Sequence, residues 1–308
     1  MPFTSFSGNF GANTGLSIIP GVVQSLAVTN GLYLRGNKLL IGLNNRGVCG
    51  GDTAVSGLSP AVSLRSSTPA WVYNPNGLSS TSVNPDYTFP GTPEDGFVLG
   101  INGNTNIHNS RGSAANMSGT LTNLSSGRTL RGRWVGSYSI GAVNLTLTNL
   151  YEFDVLGDYV KYTYTISNLS STDLTNVVFI RSLDPDNDQF LGGPYNTFNG
   201  TNNTESLSIA YGVSTGGNLL AGAPVPTIYF ASFDTGIAKG GRGGFTISNA
   251  YSPGFTYVNN PNTETSVDEA IGMTTTIGTI PGNSSFSRHM YIGFWNSTTR
   301  PPNPTLPG

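Results

Sequence analysis

The stretch 154–190 contains the clearest alternation of apolar and polar residues in the chain, and no helical period is sustained anywhere. A period of two places successive side chains on opposite faces of a β-strand, so one face is buried and the other is wet. The predicted buried positions of the first strand are Val160, Tyr162, Tyr164 and Ile166. A polar run, 168–175, then turns the chain into a second apolar run, 177–180. The two strands are predicted to form a hairpin or the crossover of a sandwich.

Further strand patterns return at intervals, separated by turns rich in glycine, proline and asparagine. The predicted strands include 119–124, 129–137, 143–155, 206–211, 227–233, 244–248, 273–280 and 286–295. Many short strands with such turns are typical of an antiparallel sandwich or barrel. We therefore expect an all-β, antiparallel β-sandwich of Ig-like or jelly-roll type, built as two sandwiches or as one large sandwich with long loops. The predicted regions are an extended N-terminal arm (1–28), a loop-rich β region (29–112) and the sandwich itself (113–308).

The charge content argues against several classes of partner. Charged residues make up 10% of the chain, against roughly 25% in an ordinary soluble domain. The formal net charge is -2 and no block of like charge occurs, so nucleic acid is an unexpected partner.

No segment has the roughly 20 apolar residues of a membrane span, and the N-terminus lacks the pattern of a Sec signal peptide. The single cysteine, Cys49, is predicted to be a buried hydrophobe, with an intermolecular bridge as the alternative.

One acidic loop offers alternating carboxylates that could bind a cation. Asp184, Asp186 and Asp188 follow the second strand of the opening stretch. Calcium takes six to eight oxygen ligands, and this spacing is similar to the start of an EF-hand loop, although the glycine and the distal glutamate of that loop are absent. The alternative is a turn whose carboxylates cap backbone amides and pair with Arg181. Calcium is the only cofactor that the sequence suggests.

Catalytic patterns are weaker. The two histidines, His108 and His289, lie far apart in the sequence without a cluster of metal ligands, so a structural zinc site is not expected. A glycosidase needs only two carboxylates, and the candidates are Glu94 or Asp95 with Glu152 or Asp154. Alternation places the last two on one exposed strand face, where solvated side chains are the simpler explanation.

The segment YVKYTYTISNLSSTDLTNVVFIRSLDPD, residues 159–186, resembles the Ig-like repeat family of bacterial and archaeal surface proteins. The shared features are a strand of the YTITVTN type, a polar turn, a strand of the NVVVTD type and a Leu-Asp-Pro corner. The segment departs from the family at 179–181, and no tandem copy follows. The resemblance implies a structural or adhesive module of an exposed surface, and it transfers no catalytic residue.

These patterns together predict a non-enzymatic structural subunit of a self-assembling surface structure, such as a virion, appendage, filament or fibre. Its partners would be copies of itself, joined by exchange of strands or terminal arms, and its location would be extracellular or in a virion. The alternative is a carbohydrate-binding or adhesive module that uses tryptophans as a stacking platform for surface glycans: Trp71, Trp134 and Trp295. The second alternative is a glycan-cleaving enzyme of the tailspike type.

Overall fold

The computed structural model describes residues 25–56, 58, 64, 67–78, 81, 84–88, 95–111, 115–187, 195–214, 225–244, 248–251 and 264–297. For residues 225–226 and 295–297 only the backbone is described. Within these residues the regular structure consists of eighteen β-strands. They contain no helix that is long and apolar enough to cross a membrane.

The strands form three antiparallel sheets. The first sheet has the order β1 (Ser25–Val28), β2 (Gly31–Arg35), β3 (Leu39–Asn44) and β4 (Trp71–Tyr73). The second sheet has five strands in the order β15 (Ala238–Gly243), β17 (Ala270–Ile280), β11 (Leu174–Leu183), β5 (Asp95–Ile101) and β6 (Thr105–Ser110).

The third sheet has nine strands and is the scaffold of the molecule. Its order is β16 (Glu264–Val267), β12 (Thr197–Asn203), β13 (Ser208–Val213), β14 (Val225–Ser232), β18 (Ser285–Ser297), β10 (Tyr159–Asn168), β9 (Val143–Asp154), β8 (Thr129–Ile140) and β7 (Ser118–Asn123). In β10 every second residue is buried, which is the alternation that the sequence predicts.

One face of the nine-stranded sheet packs against the two smaller sheets. Tyr164 on β10 stacks on Phe179 of the five-stranded sheet, with ring centroids 4.2 Å apart. Tyr73 of the four-stranded sheet stacks on Phe294 of β18 at 4.8 Å. A single cluster of buried apolar residues includes members of all three sheets. The prediction of an all-β, antiparallel sandwich is therefore confirmed.

The stretch 154–190 connects two layers of the sandwich. β10 belongs to the nine-stranded sheet and β11 to the five-stranded sheet, so the chain makes a sandwich crossover there and not a hairpin. The predicted boundary at 112 falls between β6 and β7, while β5 pairs with β11, so both predicted regions contribute to the five-stranded sheet. Of the predicted arm, 1–28, only β1 is described, and it pairs with β2. Part of the predicted strand 244–248 also lies outside the described residues.

A buried ion pair joins β5 to β11 inside the core. Arg181 Nη2 donates to both carboxylate oxygens of Asp95, at 2.6 and 2.7 Å, and both side chains are fully buried. The Asp95 carboxylate also accepts hydrogen bonds from the backbone N–H of Cys49 and from Trp71 Nε1. Burial works to lower the pKa of Arg181, but the Asp95 carboxylate counteracts it and the pKa lies above its ordinary value. The predicted pairing of Arg181 with the acidic loop is thus wrong, because Asp95 occupies the guanidinium. Cys49 is free and buried, as predicted.

Candidate functional site

The outer face of the nine-stranded sheet carries aromatic residues at positions where alternation points away from the core. In β18 the buried residues Met290 and Ile292 flank Tyr291, which is half-buried. In β10 the buried Val160 follows Tyr159, which is also half-buried. The two strands are neighbours, with Lys161 directly opposite Tyr291. The sheet register therefore brings two outward-facing tyrosines together.

Tyr291 is the centre of a cluster of four rings, which we call the aromatic cluster: Tyr159, Phe233, His289 and Tyr291. The ring of Tyr291 lies 5.7 Å from Tyr159, 6.1 Å from Phe233 and 5.5 Å from His289, centroid to centroid. The interplanar angles are 72°, 76° and 84°, so each neighbour meets Tyr291 edge to face, which is a favourable arrangement for aromatic rings. Phe233 is 57% exposed, a large value for a phenylalanine. The cluster therefore leaves apolar ring surface in contact with water.

Polar side chains surround the rings. Lys161 lies opposite Tyr291 on one strand and opposite Glu152 on the next. Asp158 precedes Tyr159, and its carboxylate lies close enough to raise the pKa of the Tyr159 phenol. The cluster is thus an apolar patch with hydrogen-bonding groups of both charges at its border.

The ionisable rings of the aromatic cluster are uncharged at neutral pH. Burial raises the pKa of Tyr159, and the nearby Asp158 and Asp154 carboxylates raise it further. Burial also raises the pKa of Tyr291. The pKa of His289 is lowered, first by burial and then by the positive charge of Lys161. The tyrosines therefore remain phenols that can donate a hydrogen bond, and the histidine remains a neutral imidazole.

An apolar ring surface with a polar border can bind a ligand that has both apolar C–H groups and hydroxyl groups. The face of an aromatic ring carries a partial negative charge, which attracts weakly positive C–H groups. Carboxylates accept hydrogen bonds and ammonium groups donate them, so the border can orient hydroxyl groups of the same ligand. The aromatic cluster is therefore a candidate binding surface.

The tryptophans predicted as a stacking platform do not form one. Trp71 and Trp134 are fully buried in the core, and their indole N–H groups donate to Asp95 and to the carbonyl oxygen of Asn45. They cannot reach a ligand, because the core encloses both side chains completely. The side chain of Trp295 lies outside the described residues.

The acidic loop keeps part of its predicted arrangement. Carboxylate oxygens of Asp184, Asp186 and Asp268 lie within 4.8 Å of one another, whereas Asp188 lies outside the described residues. Asp268 comes from the turn after β16 and was absent from the prediction, because only the sheet order brings it to this loop. Three carboxylates fit part of the oxygen shell that calcium needs. The calcium site stays a prediction, and a titration with calcium chloride that gives no heat of binding would refute it.

The described members of the predicted carboxylate pairs are each held by an arginine. Asp95 is held by Arg181 in the core, and Glu94 lies outside the described residues. Glu152 and Asp154 each pair with an arginine of β8 or its preceding turn: Arg131 and Arg128. Each described carboxylate of the four thus has a basic partner, so a glycosidase pair is not supported.

The aromatic cluster is not among the predicted sites for two reasons. Tyr159 and Tyr291 stand at the outward positions of patterns that were predicted as strands, and that alternation was the signal that could have identified them. Their proximity depends on the pairing of β10 with β18, which are more than one hundred residues apart in the chain. No local pattern contains that pairing.

Comparisons with known proteins give distant structural likenesses. No family model and no curated protein sequence matches the chain. A galactose 1-epimerase from Lactobacillus acidophilus NCFM is 9% identical, with a TM-score of 0.38 over 89% of this chain and 98% of that chain. A galactose mutarotase-like protein from Clostridium acetobutylicum is 9% identical, with a TM-score of 0.38 over 88% and 98%. A GH36 alpha-galactosidase from Geobacillus stearothermophilus is 8% identical, with a TM-score of 0.42 over 88% of this chain and 41% of that one.

These findings correct the predicted function. We expected a non-enzymatic structural subunit of a virion, filament or fibre, whereas the similar solved structures are a galactose 1-epimerase, a galactose mutarotase-like protein and a GH36 alpha-galactosidase, and this prediction is withdrawn. The expectation that the chain is not an enzyme is withdrawn with it. The Ig-like resemblance, the self-association and the extracellular location stay predictions.

Proposed function

We propose that this chain binds carbohydrate, with a sugar ring stacked on the aromatic cluster. The observation that supports the proposal is the position of Tyr159, Phe233 and Tyr291 together on the solvent-facing side of the nine-stranded sheet. A pyranose ring has an apolar face of C–H groups and a periphery of hydroxyl groups. It therefore matches an aromatic surface with a border of hydrogen-bonding side chains.

The border residues give the bound sugar its orientation. Lys161 donates hydrogen bonds, and Asp158 accepts them. Tyr291 has the most ring neighbours within the cluster, so its removal would take away the surface that the other rings contact. Binding energy usually concentrates in a few such aromatic residues.

The test is a glycan array followed by calorimetric titration of the best neutral oligosaccharide that it identifies. The Tyr291→Ala variant is expected to weaken binding by at least tenfold, which corresponds to about 1.4 kcal/mol. Tyr195→Ala is the matched control, because Tyr195 is 50% exposed and lies outside the aromatic cluster. Thermal unfolding of both variants would show that the fold is intact.

Two results would refute the proposal. One is an array without any bound glycan, and the other is a Tyr291→Ala variant with the affinity of the wild type.

A further inference from the structure

A second part of the same outer face is covered almost completely by hydroxyl side chains. Five adjacent strands, from β7 to β18, are paired in register there, and each contributes two outward positions. The row farther from the aromatic cluster contains Ser118, Ser137, Thr146, Ser167 and Ser285. The nearer row contains Thr120, Val135, Thr148, Thr165 and Ser287. We call these two rows the hydroxyl lattice.

The lattice is exposed and free of charge. Each of its ten residues is half-buried or exposed, nine carry a hydroxyl group, and none is ionisable. Neighbouring hydroxyls are already oriented by one another, since Thr165 Oγ1 and Ser287 Oγ lie 2.9 Å apart and so do Ser285 Oγ and Ser167 Oγ. Each hydroxyl can both donate and accept a hydrogen bond.

Charged residues begin in the row next to the lattice, where Arg133 lies in register with Leu150. On the same strands and the same face, the row after that one contains Arg131, Glu152 and Lys161 in direct register, and Tyr291 lies opposite Lys161. Strand propensity favours threonine but does not favour serine, so propensity alone does not account for the pattern. The boundary between a charged row and an uncharged lattice indicates two parts of one surface with different contacts.

We propose that the hydroxyl lattice extends the sugar-binding surface, and that the ligand is a neutral, extended polysaccharide. This inference rests on the proposed function, because the aromatic cluster would hold one part of the chain while the lattice holds the next. A neutral ligand fits because a charged one would lose its water without gaining an opposite charge. Sugar hydroxyls match the lattice because they donate and accept in the same way.

The dimensions exclude a single sugar as the complete ligand. Tyr291 and Ser285 are six residues apart on β18, which is about 20 Å along the strand. The five strands from β7 to β18 extend over about 19 Å across the sheet. A ligand that contacts both the rings and the far row must therefore contain several sugar units.

The test measures how the length and the charge of the ligand change its binding affinity for the wild type and three variants. The probes are water-soluble β-glucan, mannan and galactan as neutral polysaccharides, their disaccharides, and polygalacturonate as an acidic polysaccharide. The lattice variant is Thr148→Val with Thr165→Val, which keeps the side-chain shape and removes two hydroxyls that are opposite each other in register. The control variant is Thr276→Val with Thr279→Val, two exposed threonines of β17 in the other layer. Tyr291→Ala is the third.

We expect the lattice variant to bind the preferred neutral polysaccharide at least tenfold more weakly and its disaccharide with unchanged affinity. The control variant should bind both like the wild type, and Tyr291→Ala should weaken both. If the lattice variant binds the polysaccharide like the wild type while Tyr291→Ala loses it, this inference is wrong and the proposed function stands. Stronger binding of polygalacturonate than of every neutral probe also overturns the inference alone. If no glycan of any length binds, both proposals fail.

Discussion

The two faces of the nine-stranded sheet use the same residue type for opposite purposes. On the inner face, Tyr162 and Tyr164 are fully buried, and each packs against other rings of the core. On the outer face, Tyr159 and Tyr291 contact each other and water. One step along a strand therefore changes a tyrosine from a stabilising residue to a residue that is available for binding. Substitutions on the inner face should change stability, and substitutions on the outer face should change binding.

The largest expected effect is the loss of the ion pair within the core. Asp95→Ala would leave the Arg181 guanidinium buried without its carboxylate partner, and it would also remove the acceptor for Cys49 N–H and Trp71 Nε1. Removing one partner of a buried pair usually costs about 3–5 kcal/mol. Urea unfolding should show a loss of this size.

The outer face supplies the control for this measurement. Glu152→Ala breaks the ion pair with Arg131. The Arg131 side chain is 42% exposed and the Glu152 side chain 28%, and exposed ion pairs usually contribute about 0.2–1 kcal/mol to stability. Equal losses in the two variants would contradict the contrast between the faces.

A smaller effect of opposite sign is expected at Tyr162. Its hydroxyl group is buried, and none of the described groups forms a hydrogen bond with it. A buried hydroxyl without a partner costs about 1–3 kcal/mol relative to water. Tyr162→Phe should therefore leave the free energy of unfolding unchanged or raise it by about 1 kcal/mol, as measured by urea unfolding. A loss of more than about 1 kcal/mol would show that the hydroxyl has a partner, such as bound water.

The same two faces show how far the sequence could predict the molecule. The alternation in β10 was sufficient to assign a strand and its buried side, because burial on one face depends only on the local period. The three-sheet arrangement and the pairing of β10 with β18 depend on contacts between residues far apart in the chain. The aromatic cluster and the hydroxyl lattice both require that pairing, so neither could be predicted from local patterns. The tryptophans were chosen by residue type alone, and type does not decide whether a side chain faces the core or water.

The smallest expected effect is a pH dependence of stability from the two histidines. The pKa of His289 is lowered by burial and by Lys161 and Arg288, while Asp234 acts in the opposite direction. The pKa of His108 is lowered by burial. A histidine in the unfolded chain has a pKa of about 6.5, so between that value and the lower folded pKa the unfolded chain binds more protons. Stability should therefore be constant above this window and decrease as the pH falls through it.

Urea unfolding between about pH 7 and pH 5 can measure this decrease, since most carboxylates titrate near pH 4. His289→Gln and His108→Gln should each flatten the pH dependence, and the double variant should flatten it further. Asp268 acts with the opposite sign, because burial raises its pKa and the folded chain then takes up a proton more readily as the pH falls. A wild-type stability that rises from pH 7 to pH 5 would contradict the prediction for the two histidines.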